Sequence, residues 1–291
     1  MPSRIGFGCE ALGGTDWGRI DLQEIGRAIH DALDSGVSLF DTADVYGLGL
    51  SEKRLGRILG VRRHDLWICT KGGVAWKKDT AKQRAMTWKD GSSRYLKNAV
   101  DSSLRRLKMD ILPIYFLHWP DPATCLEESF VALEDLRQKG KINHIGFSNP
   151  SSAQLKIATH HAKISFVQTR ANFLEGIDLN LVKTCQGLGI GIMAYNVLGA
   201  GLLTGKFNKD VKFPTSDRRS RLAKFASKEI QNISKKLEFH RRQAEGMGVS
   251  LPQYAIRWAL NRPVVTSVIL GIKNRQQLHE NLSLAAKPNV K

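Results

Sequence analysis

Apolar residues along this chain recur in two alternating rhythms, one spaced for helices and one for short buried strands. Ile25, Ala28, Ile29, Ala32 and Leu33 fall on one face of a helix, and Gly36 stands where a helix C-terminus takes a left-handed residue. The strand Val37–Phe40 follows. Ser51 offers an N-cap to a helix whose buried face is Leu55, Ile58 and Leu59 and whose stop is Gly60, and the next strand is Leu66–Cys69. Ser92 or Ser93 can cap a helix carrying Leu96, Ala99, Val100, Leu104 and Leu107, ahead of the strand Ile114–Leu117. Phe130, Leu133 and Leu136 lead through Gly140 to a strand around Ile145, and Leu155 and Ala158 precede Ile164–Gln168. Leu181, Val182 and Cys185 precede Ile190–Tyr195, and Ala255, Ile256, Ala259 and Leu260 precede Val264–Leu270.

With a first strand near Ile5–Gly8, the pattern holds eight strands separated by helices. Short apolar strands alternating with helices predict a parallel sheet covered on both faces. Eight of them predict an α/β fold, a single (β/α)8 TIM barrel over residues 1–291. The competing doubly wound dinucleotide fold wants a Gly-rich turn after its first strand and an acidic residue about 20 positions later. Gly6, Gly8, Gly13 and Gly14 do not have that spacing. Two connections, Gly72–Arg94 after the third strand and Asn196–Lys228 after the seventh, exceed the usual length of about 2–6 residues and are expected to be lids or binding loops.

Composition narrows the function classes. At 42% hydrophobic and 24% charged the chain reads as an ordinary globular protein. No basic-then-apolar N-terminal segment is evident, and no apolar stretch approaches the roughly 20 residues of a membrane span. Cys9, Cys69, Cys125 and Cys185 lack metal or redox spacing, so a reduced, cytoplasmic setting is expected. No His/Asp/Glu cluster has ligand spacing; no metal is expected, which disfavours a metal-dependent hydrolase. The net charge of +17 is spread along the chain, denser at Lys77–Lys89 and Arg218–Lys224, unlike the concentrated footprint of a nucleic-acid binder. Such a field suits phosphorylated cofactors or anionic substrates.

The candidate chemistry sits at strand ends. Asp41 and Tyr46 follow the second strand, Lys71 the third and His118 the fourth. Lys71 is expected to lower the pKa of the Tyr46 phenol, Asp41 to hold Lys71 in place, and His118 to orient a substrate oxygen toward Tyr46. Each residue alone has an ordinary structural explanation; three successive strand ends together point to an enzyme that protonates a carbonyl.

On these residues the chain resembles the aldo-keto reductases, nearly end to end. Leu39–Glu52 (LFDTADVYGLGLSE) is similar to the family's most recognisable motif, and Leu117–Pro122 (LHWPDP) and Ile145–Asn149 (IGFSN) match two more. Leu198–Lys206 (LGAGLLTGK) resembles the glycine-rich cofactor loop, and Gly271–Asn281 (GIKNRQQLHEN) the C-terminal cofactor motif. The resemblance implies a catalytic tetrad of Asp41, Tyr46, Lys71 and His118, with Tyr46 as general acid, and NADP(H) as cofactor. It implies Ser148, Asn149 and Gln168 at the nicotinamide carboxamide, Tyr195 stacked on the ring, and Leu198, Gly199, Gly201 and Leu203 along the pyrophosphate. Gly271, Lys273, Gln277 and Asn281 would hold the adenosine end, with Lys273 facing a 2′-phosphate.

The expected function is NADPH-dependent reduction of a small-molecule carbonyl. The alternative is an NADP(H)-binding regulatory subunit, as in relatives that modulate potassium channels. Trp17, Trp76, Trp88 and Trp119 are candidate pocket walls. The loop lysines beside Trp76 and Trp88 raise the expectation that anionic carbonyls are preferred. Where the family often has an acidic residue, Tyr and Asn after Gln168, this chain has Thr169-Arg170-Ala171-Asn172; strand period points Arg170 inward, where pairing with an internal carboxylate is favoured.

Overall fold

The computed structural model describes residues 1–77 and 85–283. The strands in chain order are β1 (Ile5–Gly8), β2 (Leu39–Asp41), β3 (Trp67–Gly72), β4 (Val74–Lys77), β5 (Met86–Lys89), β6 (Leu112–Leu117), β7 (Ile142–Ser148), β8 (Ile164–Arg170), β9 (Gly191–Tyr195) and β10 (Val265–Gly271). Eight of them close into a parallel barrel in the order β1-β2-β3-β6-β7-β8-β9-β10, while β4 and β5 form a separate antiparallel hairpin. Helices α1 (Leu22–Asp34), α2 (Leu50–Leu59), α3 (Ser93–Leu107), α4 (Leu126–Gln138), α5 (Ser152–Thr159) and α6 (Leu179–Leu188) lie in the connections between the barrel strands. After β9 come α7 (Ser227–Gly246) and α8 (Leu251–Leu260), and α9 (Arg275–Leu282) follows β10.

Successive strand residues face opposite sides of the sheet, and here one side builds the barrel interior. Leu39, Cys69, Ile114, Phe116, Phe166, Met193 and Ile269 form an apolar cluster there, apart from the larger core between sheet and helices. The interior is tightly filled: a Cβ on Gly146 would meet the Phe116 ring at 2.3 Å, and one on Gly6 would meet Leu39 at 2.7 Å. These glycines let large side chains cross the barrel.

The helix signals read from sequence hold at most ends. Ser92 caps α3 by accepting from Tyr95 N–H, and Gly60 ends α2 at φ 55°. Ser51 differs. The N-cap of α2 is Gly49, and Ser51 is fully buried, donating to Cys9 O at 2.8 Å and accepting from Thr42 Oγ1 at 2.8 Å. Its hydroxyl ties the loops after β1 and β2 to the helix, which a solvent-facing cap would not do.

Both long connections contain elements the apolar pattern does not announce. The first holds the β4–β5 hairpin, whose β5 is exposed throughout. The second ends in α7, whose buried residues are Ile230, Leu237 and Ala244. Within the basic stretch Lys77–Lys89, Lys78, Lys82 and Arg84 lie outside the described residues, as does Asp79.

Candidate active site

Polar residues replace apolar ones one side-chain step beyond the interior cluster, at the C-terminal ends of the strands. Asp41 follows Leu39, Lys71 follows Cys69, His118 follows Phe116, Gln168 follows Phe166 and Tyr195 follows Met193. Ser148 follows Gly146 in the same way. The two-residue period that packs the barrel therefore aims all six side chains at its mouth. That is the end where barrels of this kind keep their chemistry.

Asp41 and Lys71 form the buried centre, with Lys71 2% exposed. Lys71 Nζ donates to Asp41 Oδ1 and Oδ2 at 2.8 and 2.7 Å and to Thr42 O at 2.7 Å. All three ammonium protons are thereby committed. Gln168 Nε2 donates to Asp41 Oδ1 at 2.5 Å, adding a further bond to the pair. The Tyr46 ring lies 5.3 Å from Lys71 Nζ and meets the His118 ring edge-on, with centroids 5.8 Å apart.

The electrostatics depart from expectation at Tyr46. Burial, then the carboxylates of Glu10 and Asp41, push its phenol well above the usual tyrosine range. Lys71 stands close to the ring, but its charge is matched by Asp41 at contact distance, so the net field at the phenol favours the neutral form. Burial and then the Lys71 ammonium hold His118 well below the usual histidine range, so its imidazole is neutral near pH 7. The arrangement presents a neutral phenol and a neutral imidazole to one small space, both able to hydrogen-bond an oxygen.

Glu10 escaped the sequence reading. The segment Glu10–Gly13 packs directly on the Tyr46 backbone, so closely that a Cβ on Gly13 would meet Gly47 N at 2.7 Å. Arg218 Nη1 pairs with Glu10 Oε1 at 2.5 Å and lies over the Trp17 ring at 4.5 Å. Glu10 is one step beyond Gly8, the same step that finds the other mouth residues, but no apolar side chain marks it.

The residues that the resemblance assigns to a cofactor fall on the adjoining rim. Asn149, at φ 59°, donates from Nδ2 to Ser148 Oγ at 2.9 Å and accepts at Oδ1 from the Tyr195 hydroxyl at 2.6 Å. Ser148 keeps a hydroxyl proton to give and Gln168 a carbonyl oxygen to accept, the complement of a carboxamide. Residues 199–201 run through positive φ, and the N–H groups of Gly199, Gly201 and Leu203 close that turn onto Asn196 O and Leu198 O at 2.8–3.2 Å. Those amides are spent within the loop. Positive charge near the rim comes instead from Lys206 and Lys273 and from Arg219, which is itself paired with Asp217 at 2.6 Å; these cations act on one another.

Lys273 donates to Trp17 O at 2.8 Å and lies 5.1 Å from that ring, keeping two protons for another acceptor. Burial and then Arg219 bring its ammonium down to about 8. Gln277 Oε1 accepts from Lys273 N–H at 3.0 Å, and Asn281 is buried. A Cβ on Gly271 would meet nothing within 4 Å, so open space adjoins the end of β10. A cation set, an open rim and a complementary amide site together fit an anionic dinucleotide.

Arg170 departs from the expectation. Arg170 shares the inward face of β8, but it is exposed at the rim and donates from Nε to Tyr195 Oη at 3.2 Å rather than to a carboxylate. Trp76 and Trp88 line a cavity with Asp44, Tyr95 and Arg106 that includes none of the tetrad. Lys89 lies 5.6 Å from the ring of Trp119, next in sequence to His118, while Trp17 belongs to the cationic rim.

Comparison with known proteins agrees with this architecture. The sequence model of the Aldo/keto reductase family matches residues 4–290. The chain is 30% identical over 280 residues to Aldo-keto reductase YhdN of Bacillus subtilis, covering 95% of this chain and 83% of that protein. It is 27% identical over 292 residues to the NADH-specific methylglyoxal reductase of Escherichia coli, covering 97% and 89%. Among solved structures, the glycerol dehydrogenase AKR11B4 of Gluconobacter oxydans superposes with a TM-score of 0.90 at 32% identity, over 100% of this chain and 88% of that one. The holo form of aldo-keto reductase AKR11C1 from Bacillus halodurans gives 0.77 at 25%, over 100% and 89%.

Proposed function

Because this chain belongs to the aldo/keto reductase family, a family of oxidoreductases, we propose that it reduces a small-molecule aldehyde or ketone with NADPH, Tyr46 supplying the proton. The observation that carries the proposal is the Asp41–Lys71 pair fixed beside the Tyr46 ring, with His118 edge-on to it.

The cofactor's reduced nicotinamide would supply a hydride to the carbonyl carbon. Ser148 and Gln168 would hold its carboxamide, Tyr195 would lie against the ring, and Lys273 would meet a 2′-phosphate. The carbonyl oxygen sits between Tyr46 and His118. The neutral imidazole donates an N–H to that oxygen and fixes it toward the phenol. As the carbon gains hydride the oxygen gains negative charge, and Tyr46 O–H passes its proton to it, leaving alcohol and phenolate. Lys71, its own protons committed, acts as a fixed positive charge on which the phenolate is stabilised until solvent returns the proton. The high resting pKa keeps the phenol protonated before that moment.

The test is Tyr46→Phe, assayed by NADPH oxidation with 4-nitrobenzaldehyde and by NADPH fluorescence for binding. General acid catalysis is typically worth about 10²–10⁴-fold, so kcat should fall by that factor with cofactor affinity unchanged. Retention of more than about a tenth of wild-type turnover would overturn the assignment of Tyr46. A wild-type protein that binds NADPH but turns over no aldehyde would favour a regulatory role instead.

A further inference from the structure

We propose that the cavity between the β4–β5 hairpin and α3 is a second binding site, separate from the carbonyl site. It takes a small organic ammonium ion, with Asp44 as counterion and Trp76, Trp88 and Tyr95 as aromatic walls. The cavity holds about 300 Å³, the lower end of the range for small-molecule sites. Asp44 is fully buried; the Val45 N–H and the Tyr95 hydroxyl act on its carboxyl, and its Oδ1 is left without a well-formed hydrogen bond among the described residues. Its Oδ2 accepts from the Tyr95 hydroxyl at 3.3 Å, but that hydroxyl also lies 3.0 Å from Val74 O and has one proton for the two. A buried carboxyl oxygen without a well-formed hydrogen bond is costly, and a ligand that brings one recovers the cost.

The charges around Asp44 set the sign of that ligand. From α2, Glu52 brings a second buried carboxylate, and from α3, Arg106 brings a guanidinium that Glu52 engages at 2.5 Å. Tyr95 on α3 and Tyr115 on β6 are phenols held neutral by burial. β3 presents backbone, since Asp44 N–H bonds Lys71 O at 3.2 Å. Asp90 adds a carboxylate among the lining residues, one of its oxygens taken by Ser92. With Glu52 and Arg106 matched, Asp90 is a carboxylate and Asp44 becomes one when a cation displaces its proton, so the cavity offers negative charge within a chain of net charge +17. Aromatic walls beside an anionic group suit an organic cation, which gains from ring faces as well as from the carboxylate. A metal ion would instead ask for several oxygen ligands. Burial and then Glu52 hold the Asp44 carboxyl well above the usual carboxylate range, so a bound cation displaces a proton there and affinity rises with pH.

The probe is benzylamine, with benzyl alcohol as its neutral counterpart, titrated calorimetrically into the full chain with saturating NADP at pH 6 and pH 8. The amine should bind about tenfold or more tightly than the alcohol, and more tightly at pH 8. Asp44→Asn should abolish the preference. Asn98→Arg, on the exposed face of α3 and lining the cavity, should weaken the amine without changing aldehyde turnover, and it decides the matter if Asp44→Asn does not fold. Absence of amine binding at millimolar concentration overturns the proposal. So does equal affinity for the alcohol, or amine inhibition that is competitive with aldehyde and indifferent to both variants.

Discussion

The Asp41–Lys71 pair makes a prediction whose size follows from its bonds. Lys71 Nζ reaches both Asp41 oxygens and Thr42 O at 2.7–2.8 Å, and the side chains are 2% and 7% exposed. Lys71→Met strips Asp41 of its countercharge and leaves it with the Gln168 amide. Asp41→Asn leaves a buried ammonium facing a neutral amide. Removing one member of such a pair typically costs about 3–5 kcal/mol, because the remaining charge stays buried, whereas removing both is often close to neutral. The double variant Lys71→Met/Asp41→Asn should therefore be more stable than either single variant, with a coupling energy of about 3 kcal/mol or more. That corresponds to roughly two decades in the folded-to-unfolded ratio. Urea titrations followed by tryptophan fluorescence supply the four free energies, provided the slopes agree. Single-variant costs that add to within about 0.5 kcal/mol would refute the reasoning. Stability and function should then separate, because the double variant folds well yet lacks the charge that the Tyr46 phenolate requires.

Two further outcomes follow. If Lys273 meets a 2′-phosphate, NADPH affinity in the free enzyme should be greatest while its ammonium is charged and should decline as pH rises through about 8. NADH affinity should stay flat, and Lys273→Ala should cost NADPH roughly 10- to 150-fold, the worth of a charge-assisted hydrogen bond; equal affinity of the wild type for both cofactors sinks the assignment. In the barrel wall, a Cβ on Gly72 would fall 2.1 Å from Tyr115 Oη, itself buried with no partner among the described residues. Gly72→Ala should cost about 1–3 kcal/mol through overpacking and markedly less in a Tyr115→Phe background, as read from urea midpoints; an equal cost in both backgrounds would place the clash elsewhere.

Much of the fold was legible because its elements bury apolar faces at regular spacing. What escaped lacks that signal. In α7 the buried residues Ile230, Leu237 and Ala244 stand seven apart, too sparse for a stripe. In β5, Met86, Thr87, Trp88 and Lys89 are all exposed, so no alternation marks a strand. The mouth residues were legible where a strand of large apolar side chains leads into them, as Phe116 leads to His118. Glu10 was not, because β1 presents Gly6 and Gly8 to the interior, and glycines there reflect the reach of Leu39 and the closeness of the β10 backbone.

The sign of the Tyr46 perturbation shows why electrostatics resists reading from sequence even when every participant is visible. Lys71, Asp41 and Tyr46 are all apparent at strand ends, and an ammonium beside a phenol suggests a lowered pKa. The outcome depends on which protons are already committed. Two of the Lys71 protons go to Asp41 and the third to a backbone carbonyl, so Asp41 offsets much of the Lys71 charge at the phenol, while burial and then Glu10 outweigh the lowering effect of Arg218. A phenol kept neutral in this way holds its proton until charge develops on a bound oxygen, which makes the proposed acid responsive to the reaction rather than to bulk pH. The same reasoning predicts that Glu10→Gln, which keeps a hydrogen-bonding group for Arg218 and removes the charge, lowers the Tyr46 pKa. The basic limb of the kcat profile should then move to lower pH. An unmoved limb in a variant with unchanged cofactor affinity would show that Glu10 does not act on the phenol.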